Sequence, residues 1–222
     1  MTELVSSAPM SRAVPGARLR FYAAWGMVAV LLAAFPSIFT SASSLTTFSL
    51  VGTAIIFALS YNILLGQTGL LSFGHAVYYG IGAFFAVHTM NLIPQYGLPV
   101  PLPLVPLIGG VAGLLLAILT GWISTRRAGT VFSMISLGVA ELAVALALIL
   151  TDFLGGEDGI STNRTKLPAW FGWHFGPQVQ VYYLVAFWVF ISALAMYALT
   201  RTPLGKICNA VRDNPERVQF VG

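Results

Sequence analysis

The chain has 222 residues, of which 57% are hydrophobic and only 8% are charged, whereas soluble domains contain roughly 25% charged residues. This composition excludes an ordinary soluble protein and predicts an all-α, polytopic membrane helix bundle embedded in a lipid bilayer. The formal net charge is +4, but the 11 Lys and Arg residues are scattered between apolar stretches and form no basic patch, so we predict no nucleic-acid partner.

The N-terminal residues 1–20 are rich in Ser, Ala, Pro and Arg and are predicted to form a cytoplasmic tail. The apolar run that follows, from Phe21 to Phe39, has the look of a secretory signal peptide, with Ser41-Ala42-Ser43 as a small-residue cleavage site. A signal h-region is about 7 to 15 residues long, however, whereas a membrane-spanning helix needs about 20. The run therefore predicts an uncleaved first transmembrane helix.

Six apolar stretches are long enough to cross a bilayer and define a predicted transmembrane domain over residues 21–199. The spans are expected at about 21–39, 47–65, 76–93, 103–124, 131–151 and 181–199. Prolines at 99, 101, 103 and 106 suit the first turn of the fourth helix better than its interior. Gly109, Gly110 and Gly113 are predicted to give this helix a close-packing face.

The stretch from Gly66 to His75, GQTGLLSFGH, interrupts the apolar sequence and carries no charge. It suits a broken or re-entrant helix near 66–76. The backbone N–H and C=O groups of such a segment must be hydrogen-bonded by protein or by water in a cavity. Broken helices at mid-depth indicate a substrate path. The alternative is a tight turn at the membrane surface, with glycines for close packing. The first alternative predicts these path-lining residues: Gly66, Gln67, Thr68, Gly69, Ser72, Gly74 and His75.

The distribution of positive charge predicts the orientation of the helices. With a cytoplasmic N-terminus, only Arg164 and Lys166 lie outside. The other nine positive residues then lie inside: Arg12, Arg18, Arg20, Arg126, Arg127, Arg201, Lys206, Arg212 and Arg217. This asymmetry requires the 66–76 stretch to separate two crossings, because otherwise Arg126 and the C-terminal tail would lie opposite the N-terminal arginines.

Glu141 is the one charged residue well inside a predicted span, and placing it there costs about 2.5 to 3.5 kcal/mol on insertion scales. It must therefore face protein or water. Helical spacing puts it on one face with Met134, Gly138 and Ala145, whose small members leave room for a partner. Two interpretations stay open: Glu141 lines the path or fixes the broken segment, or it is a protonated or hydrogen-bonded strut between helices.

The tail, residues 200–222, is predicted to be cytoplasmic and to contain two short helices that meet near Asp213. Thr202-Pro203 and Asn214-Pro215-Glu216 each match an N-cap followed by proline in the first turn. The first helix is amphipathic, with Leu204, Ile207, Cys208 and Val211 on one side. Such a helix could lie on anionic lipid, but acidic and amide residues among its cations favour contact with protein.

Sequence patterns that would indicate catalysis, metal binding or ATP binding are missing. Cys208 is the sole cysteine, and His75, His88 and His174 lie too far apart in sequence for a metal-ligand pattern. A lone membrane histidine is more often a hydrogen-bonded packing residue. No Ser/His/Asp or Cys/His set suggests covalent catalysis, and no Gly-x-x-x-x-Gly-Lys-Ser/Thr sequence is present to bind ATP. We therefore predict no enzyme activity, no metal and no cofactor bound by this chain.

The sequence resembles the permease subunits of ABC importers for branched-chain amino acids, the LivM type. Four stretches carry the resemblance, in order and spacing as well as residue type: 61–76 (YNILLGQTGLLSFGHA), 132–141 (FSMISLGVAE), 155–161 (GGEDGIS), and TPLG at 202–205 with AVRDNPER at 210–217. Where importer permeases have Glu-Ala-Ala in the EAA loop, this sequence has Asn209-Ala210-Val211.

The resemblance implies import across the bacterial inner membrane by alternating access. It also implies four partners: a second permease subunit of the same family, two cytoplasmic ABC ATPases that use the ATP, and a periplasmic substrate-binding protein. The tail is then the segment that docks into the ATPase. Its implied coupling residues are Pro203, Gly205, Lys206, Ala210, Arg212, Asp213, Asn214, Glu216 and Arg217. Family members continue through further transmembrane helices, so we expect this sequence to be a fragment that does not transport alone.

Three other functions compete with the importer. A proton-coupled secondary transporter would use Glu141 and be insensitive to changes at Arg212 and Asp213. A membrane-embedded enzyme would pair Glu141 with His75 or His88, although the fifth span offers a single charge. A non-transporting scaffold would not co-purify with an ATPase whose turnover the substrate stimulates.

Overall fold

The computed structural model describes residues 17–126, 129–169, 172–214 and 218. Within them the regular structure is helical. The α-helices are α1 (Ala17–Ile38), α2 (Ala42–Asn62), α3 (His75–Tyr96), α4 (Val105–Ser124), α5 (Thr130–Ile149), α6 (Thr151–Leu154), α7 (Gln178–Arg201) and α8 (Pro203–Asp213). Short 3₁₀ turns cover Leu102–Leu104 and Arg164–Lys166.

Six segments of the described chain are long and apolar enough to cross a membrane. They are Leu19–Ile38, Ala42–Gln67, His75–Tyr96, Leu102–Ser124, Thr130–Ile149 and Gln178–Arg201. The predictions of an all-α membrane bundle and of six spans are therefore confirmed. Most of these helices extend beyond the predicted ends, by up to five residues, because polar and aromatic residues at the ends of a span continue its helix. The first and fifth spans instead end one and two residues before the predicted positions 39 and 151. Pro106 lies in the first turn of α4, as predicted.

The chain divides into two compact units, with the boundary between Thr40 and Ser41. The first unit contains α1, in which the ring of Phe21 contacts those of Tyr22 and Trp25 edge to face. The second unit contains α2 to α8 and holds every predicted site residue that the structure describes.

In the second unit, α2 packs closely against α7. Ser49 and Gly52 on α2 are buried, and so are Ala186 and Val189 on α7. A Cβ added at Gly52 would lie 2.9 Å from Cγ1 of Val185 and 3.1 Å from Cγ2 of Val189. The absence of a side chain at Gly52 therefore allows the two helices to approach each other.

A second close pair is formed by α3 and α4. A Cβ added at Gly109 would overlap the carbonyl oxygen of Gly82, and one added at Gly113 would lie 3.0 Å from the carbonyl oxygen of Tyr78. The predicted packing roles of Gly109 and Gly113 are therefore confirmed. The prediction is wrong for Gly110, where an added Cβ would have no atom within 4 Å, because this residue lies on another side of the helix.

The second unit has two ends that differ in their contacts. At one end, the C-terminal part of α3 and the start of α4 form a buried cluster with the loop that precedes α7: Ile93, Leu102, Val105, Leu167 and Phe175. The opposite end carries the connection between α2 and α3, the first turns of α5, and α8. We call it the α8 end.

Candidate functional site: the 66–74 connection and α8

The predicted interruption between the second and third spans is present. α2 continues into a π-helical turn, Ile63–Gln67, and the chain leaves the helix at Gly69, which has a left-handed φ of +71°. The Gly69 N–H donates to the Leu65 carbonyl at 3.0 Å, and the Thr68 hydroxyl donates to the Leu64 carbonyl. Helix resumes at the start of α3. We call residues 66–74 the 66–74 connection.

The helices on both sides of the 66–74 connection are long enough to cross a bilayer by themselves. The segment Ala42–Gln67 has 26 residues and α3 has 22, which correspond to lengths of about 39 and 33 Å against a hydrocarbon core of about 30 Å. The connection therefore joins two helix ends at the α8 end of the bundle. Of the two alternatives from the sequence, this geometry favours a turn over a break at mid-depth.

The backbone of the connection finds hydrogen-bond partners on α5. The Phe73 N–H donates to the Ser136 hydroxyl at 3.0 Å, and the Ser133 hydroxyl donates to the Leu71 carbonyl at 2.8 Å. Ser133 and Ser136 lie one turn apart near the start of α5. Helix α5 thus supplies two protein partners for the irregular backbone of the connection.

Gly74 allows the connection to lie directly against α5. A Cβ added at Gly74 would be 2.5 Å from the carbonyl oxygen of Ser136, which is backbone and cannot rotate away. The neighbouring Ser72 is only 5% exposed. Of the other polar side chains in the connection, the Oε1 atom of Gln67 is buried and has no hydrogen-bond partner in the described chain. Ser72 and Gly74 are thus buried, whereas Gly69 is exposed and the other predicted path residues of the connection are half-buried.

His75 begins α3 and lies among aromatic rings of α2. Its Nε2 atom is 2.8 Å from the hydroxyl oxygen of Ser60, and its ring centroid lies 5.0 Å from that of Phe57 and 5.4 Å from that of Tyr61. This environment is that of a hydrogen-bonded packing residue, which links the two helices that flank the connection.

Arg212, on α8, joins that helix to the 66–74 connection. Its Nη1 atom donates to the carbonyl oxygen of Gly66 at 2.7 Å, while Nε and Nη2 each lie 3.1 Å from Oδ1 of Asp213. A Cβ added at Gly69 would lie 2.9 Å from Cγ of Arg212. Gly69 therefore provides both the left-handed turn and the space in which the Arg212 side chain lies.

Helix α8 begins and ends as predicted. The Thr202 hydroxyl accepts a hydrogen bond from the Gly205 N–H at 3.4 Å, and Pro203 occupies the first turn. A Cβ added at Gly205 would lie 2.5 Å from the carbonyl oxygen of Leu199, so the corner between α7 and α8 requires a glycine there. The second predicted helix of the tail, with Glu216 and Arg217, lies outside the described residues.

The two sides of α8 have different environments. Gly205 is buried and Arg212 reaches the connection, whereas the apolar side chains of Leu204 and Ile207 are 57% and 55% exposed. Other predicted coupling residues are exposed as well: Pro203, Lys206, Ala210, Asp213 and Asn214. Leu204 and Ile207 are thus an exposed apolar part of a surface that also carries charged and polar residues.

Glu141 is separate from this site. It is exposed, and no hydrogen bond or ion pair joins its carboxylate to the 66–74 connection among the described residues. The structure therefore brings together the predicted path residues of 66–75 and the predicted coupling residue Arg212, but not Glu141.

The sequence analysis did not identify Ser60 as a partner of His75, or Ser133 and Ser136 as partners of the 66–74 connection. Two hydroxyl residues at i and i+3 in the apolar fifth span were a visible signal for the last two.

A cavity of about 370 Å³ lies at the opposite end of the unit, between the last turns of α3 and residues 161–166. Asn91 and Lys166 contribute polar groups to its wall, and the buried Oγ1 atom of Thr162 has no partner in the described chain. None of the predicted path or coupling residues lines this cavity.

Comparison with known proteins identifies the family. The family model described as branched-chain amino acid transport system / permease component matches residues 43–222. Two curated relatives are high-affinity branched-chain amino acid transport system permease proteins LivM, from Salmonella typhimurium, 29% identical over 192 residues, and from Escherichia coli, 28% identical over 192 residues. Each match covers 76% of this chain and 43% of the relative, so the chain spans less than half the length of these relatives. No solved structure matches the chain. Because the family model covers most of the sequence and the described part forms a bundle of membrane-spanning helices, the chain belongs to the branched-chain amino acid permease family.

Proposed function

We propose that this chain is the permease part of an ATP-driven importer that moves branched-chain amino acids from the periplasm to the cytoplasm by alternating access. Membership of the permease family and six membrane-spanning helices support a role as a membrane permease. The proposal further assigns four partners: a second permease of the same family, two cytoplasmic ABC ATPases and a periplasmic substrate-binding protein. This chain would contribute no ATPase activity and bind no cofactor of its own.

The observation that carries the mechanism is the contact between α8 and the 66–74 connection. Helix α8 is capped at Thr202 and is held at its other end by the bond from Arg212 to the Gly66 carbonyl. A short helix fixed at both ends moves as one body. A partner that displaced α8 would therefore displace the 66–74 connection as well.

The displacement would continue into the bundle. The connection is bonded to α5 through Ser133 and Ser136, and His75 joins it to α2 through Ser60. The exposed apolar side chains of Leu204 and Ile207 offer the surface on which an ATPase would hold α8. In this scheme, closure of the two ATPases on ATP changes the packing of α5 and α2 around the path.

The proposed location is the bacterial inner membrane, with a cytoplasmic N-terminus. The positive-inside rule supports this orientation, since nine Lys and Arg residues fall on the cytoplasmic side and two on the other. The same orientation places α8 in the cytoplasm, where ATP is available.

The proposed substrate path runs beside the 66–74 connection, past Gln67, Thr68, Ser72 and His75. Support comes from polar groups in a bundle that is otherwise apolar, including the buried, unpartnered Oε1 atom of Gln67. A buried amide oxygen without a donor is unfavourable by about 1 to 3 kcal/mol, so a bound solute or water that donated to it would be stabilised. The amide alone does not distinguish one amino acid from another.

Uptake of labelled leucine tests the proposal. The full-length protein is reconstituted in liposomes with its second permease and ATPases, and ATP and the binding protein are supplied on opposite sides. We expect uptake that requires ATP and continues after an uncoupler removes the proton gradient. Uptake that needs the gradient but not ATP would instead support a proton-coupled carrier, and in that case Glu141→Gln would stop transport while Arg212→Ala would not.

A further inference from the structure

Phe175 has an unusual backbone conformation. Among the described residues it is the one residue other than glycine with a left-handed φ, at +50°. A bulky side chain is rarely found in this region, because its Cβ crowds the backbone. The Phe175 side chain is nevertheless only 4% exposed and belongs to the buried cluster at the end of the unit opposite α8. A strained residue persists only where its surroundings hold it in place.

Two side chains hold the backbone of Phe175, one before it in the chain and one after it. Nε of Arg164 donates to the Phe175 carbonyl oxygen at 3.0 Å, and the Phe175 N–H donates to Oε1 of Gln180 at 2.8 Å. Nη2 of Arg164 also donates to the carbonyl oxygen of Gly176 at 3.4 Å and to Oε1 of Gln178 at 2.9 Å. Both backbone polar groups of Phe175 are therefore bonded to side chains. We call the three bonds from Arg164 the Arg164 clasp.

The Arg164 clasp is complete within one short segment. Arg164 begins the 3₁₀ turn Arg164–Lys166, and Oδ1 of Asn163 caps that turn by accepting a hydrogen bond from the Thr165 N–H at 3.0 Å. Each donor and acceptor of the clasp lies within residues 163–180. The clasp therefore forms without any other part of the chain.

The position of Arg164 is electrostatically unfavourable apart from these bonds. Its guanidinium lies at the start of α7, since Gln178 is the first residue of that helix. The N-terminal end of a helix carries a partial positive charge, which repels a cation. This repulsion offsets part of the stabilisation that the hydrogen bonds give. The clasp should therefore open more readily than the same bonds would at a site away from a helix start.

The ring of Phe175 lies where two packed pairs of helices meet. One pair is α2 with α7, and the other is α3 with α4. The cluster around Phe175 includes Ile93 of α3 and Val105 of α4, and Leu184 of α7 packs against the same cluster. At this end of the unit, Phe175 therefore joins the α3–α4 pair to α7. A return to an ordinary φ of about −60° would turn its ring out of the cluster and loosen this joint.

We propose that Arg164 is the positioning residue of the joint between the α3–α4 pair and α7. While Arg164 bonds the Phe175 carbonyl, the ring stays in the cluster and the joint is closed; when the bond is released, the two parts separate at this end. The inference rests on the proposed function, in which the end opposite α8 faces the periplasm. Alternating access requires that end to open and close around the path, and the joint would control this step.

Distances across the joint test the inference in the full-length, assembled transporter in liposomes. Spin labels are attached at Gln95→Cys, near the end of α3, and at Val179→Cys, in the first turn of α7, in a background without other cysteines. Double electron–electron resonance then gives the ratio of long to short distances. In Arg164→Ala this ratio should rise about 5-fold to 50-fold, the range expected for hydrogen bonds from a partly buried charged group.

Lys166→Ala is the matched control. Lys166 lies in the same 3₁₀ turn and is exposed, and its ammonium forms no hydrogen bond or ion pair in the described chain, so the ratio should stay at the parent value. Arg164→Lys should have an intermediate ratio, because an ammonium does not reproduce the fork of a guanidinium. A role in stability alone would lower the melting temperature of Arg164→Ala without changing the distances in folded transporter.

A reducible crosslink shows whether separation at the joint is needed for transport. A short crosslinker between the cysteines at positions 95 and 179 should stop ATP-dependent leucine uptake in the parent protein, and a reductant should restore it. Transporter with only one of these cysteines, treated with the same reagent, should keep its uptake.

Equal distance ratios in Arg164→Ala and Lys166→Ala would overturn the inference, and so would uptake at the parent rate after crosslinking. If Arg164→Ala does not assemble, Gln180→Ala removes the other bond to the Phe175 backbone and should raise the ratio in the same direction; an unchanged ratio there would also overturn it. Unchanged distances together with ATP-dependent uptake would leave the importer proposal intact. Uptake without ATP together with the expected rise in Arg164→Ala would refute the importer and retain the joint.

Discussion

Replacement of Arg212 by alanine should loosen the 66–74 connection from α8. The Arg212 guanidinium donates one short hydrogen bond to the Gly66 carbonyl, at 2.7 Å. Hydrogen bonds from charged groups contribute about 1.5 to 3 kcal/mol. The Arg212 side chain is 44% exposed, so water competes for the same groups, and we take about 1 to 1.5 kcal/mol, a factor of roughly 5 to 13.

Asp213 contributes little to the free energy that is lost in Arg212→Ala. Its carboxylate lies 3.1 Å from two nitrogens of Arg212, but its side chain is 69% exposed. Removal of the guanidinium therefore leaves Asp213 hydrated and creates no buried charge. Arg212→Lys should have an intermediate effect, because an ammonium cannot hold the carbonyl and the carboxylate with the geometry of a guanidinium.

Hydrogen exchange of the assembled protein measures the change directly. In Arg212→Ala, backbone amides of residues 66–71 should exchange about 5 to 13 times faster than in the parent protein. Lys206→Ala is the control, since Lys206 is exposed on the same helix and its ammonium forms no hydrogen bond or ion pair in the described chain. Equal exchange rates in the two variants would refute the idea that Arg212 holds the connection.

Two pairs of glycines test the close approaches between helices, each by thermal unfolding of the assembled transporter. Gly74→Ala should destabilise by about 1 to 3 kcal/mol, because the new methyl would meet the Ser136 carbonyl oxygen at 2.5 Å, whereas Gly80→Ala, with no atom within 4 Å, should be near neutral or stabilising. Gly109→Ala should likewise destabilise by about 1 to 3 kcal/mol and Gly110→Ala should not, since only the first would overlap backbone of α3. Equal melting temperatures within either pair would show that the helices separate easily.

The spanning helices were predictable from the sequence because local properties determine them, although their ends differ from the predicted ones by up to five residues. An apolar stretch of about 20 residues must satisfy its own backbone groups in lipid, so its length alone indicates a spanning helix. The start of α8 was also predictable from neighbouring residues, because the Thr202 hydroxyl caps the helix and the ring of Pro203 fixes its own φ at a helical value. Gly69, by contrast, was predicted to line a path within an interrupted stretch, and its role as space for Arg212 was not predicted.

The partners of the 66–74 connection could not be predicted, because they come from distant parts of the sequence. Ser136 lies 63 residues from Phe73, and Arg212 lies 146 residues from Gly66. The amphipathic pattern placed Arg212 on the polar side of α8. The pattern alone does not predict whether that side contacts water, a partner or the same chain. Only the corner at Gly205, which turns α8 back toward α2, directs Arg212 to the connection.

Because the connection contacts α8, a variant of a predicted path residue can lose transport in two ways. It can lose a substrate contact, or it can lose the contact with α8. Gly69 contacts the Arg212 side chain and Gly66 accepts its hydrogen bond, so a variant at either position disturbs α8 whether or not substrate passes nearby. Thr68 is bonded to the Leu64 carbonyl and supports the end of the helix. Ser72 is different: it is buried between two residues whose backbone is bonded to α5, and none of the described hydrogen bonds joins it to α8. A substrate contact can therefore be separated from mechanical coupling at Ser72, where a hydroxyl can be removed without changing the backbone bonds that hold the turn.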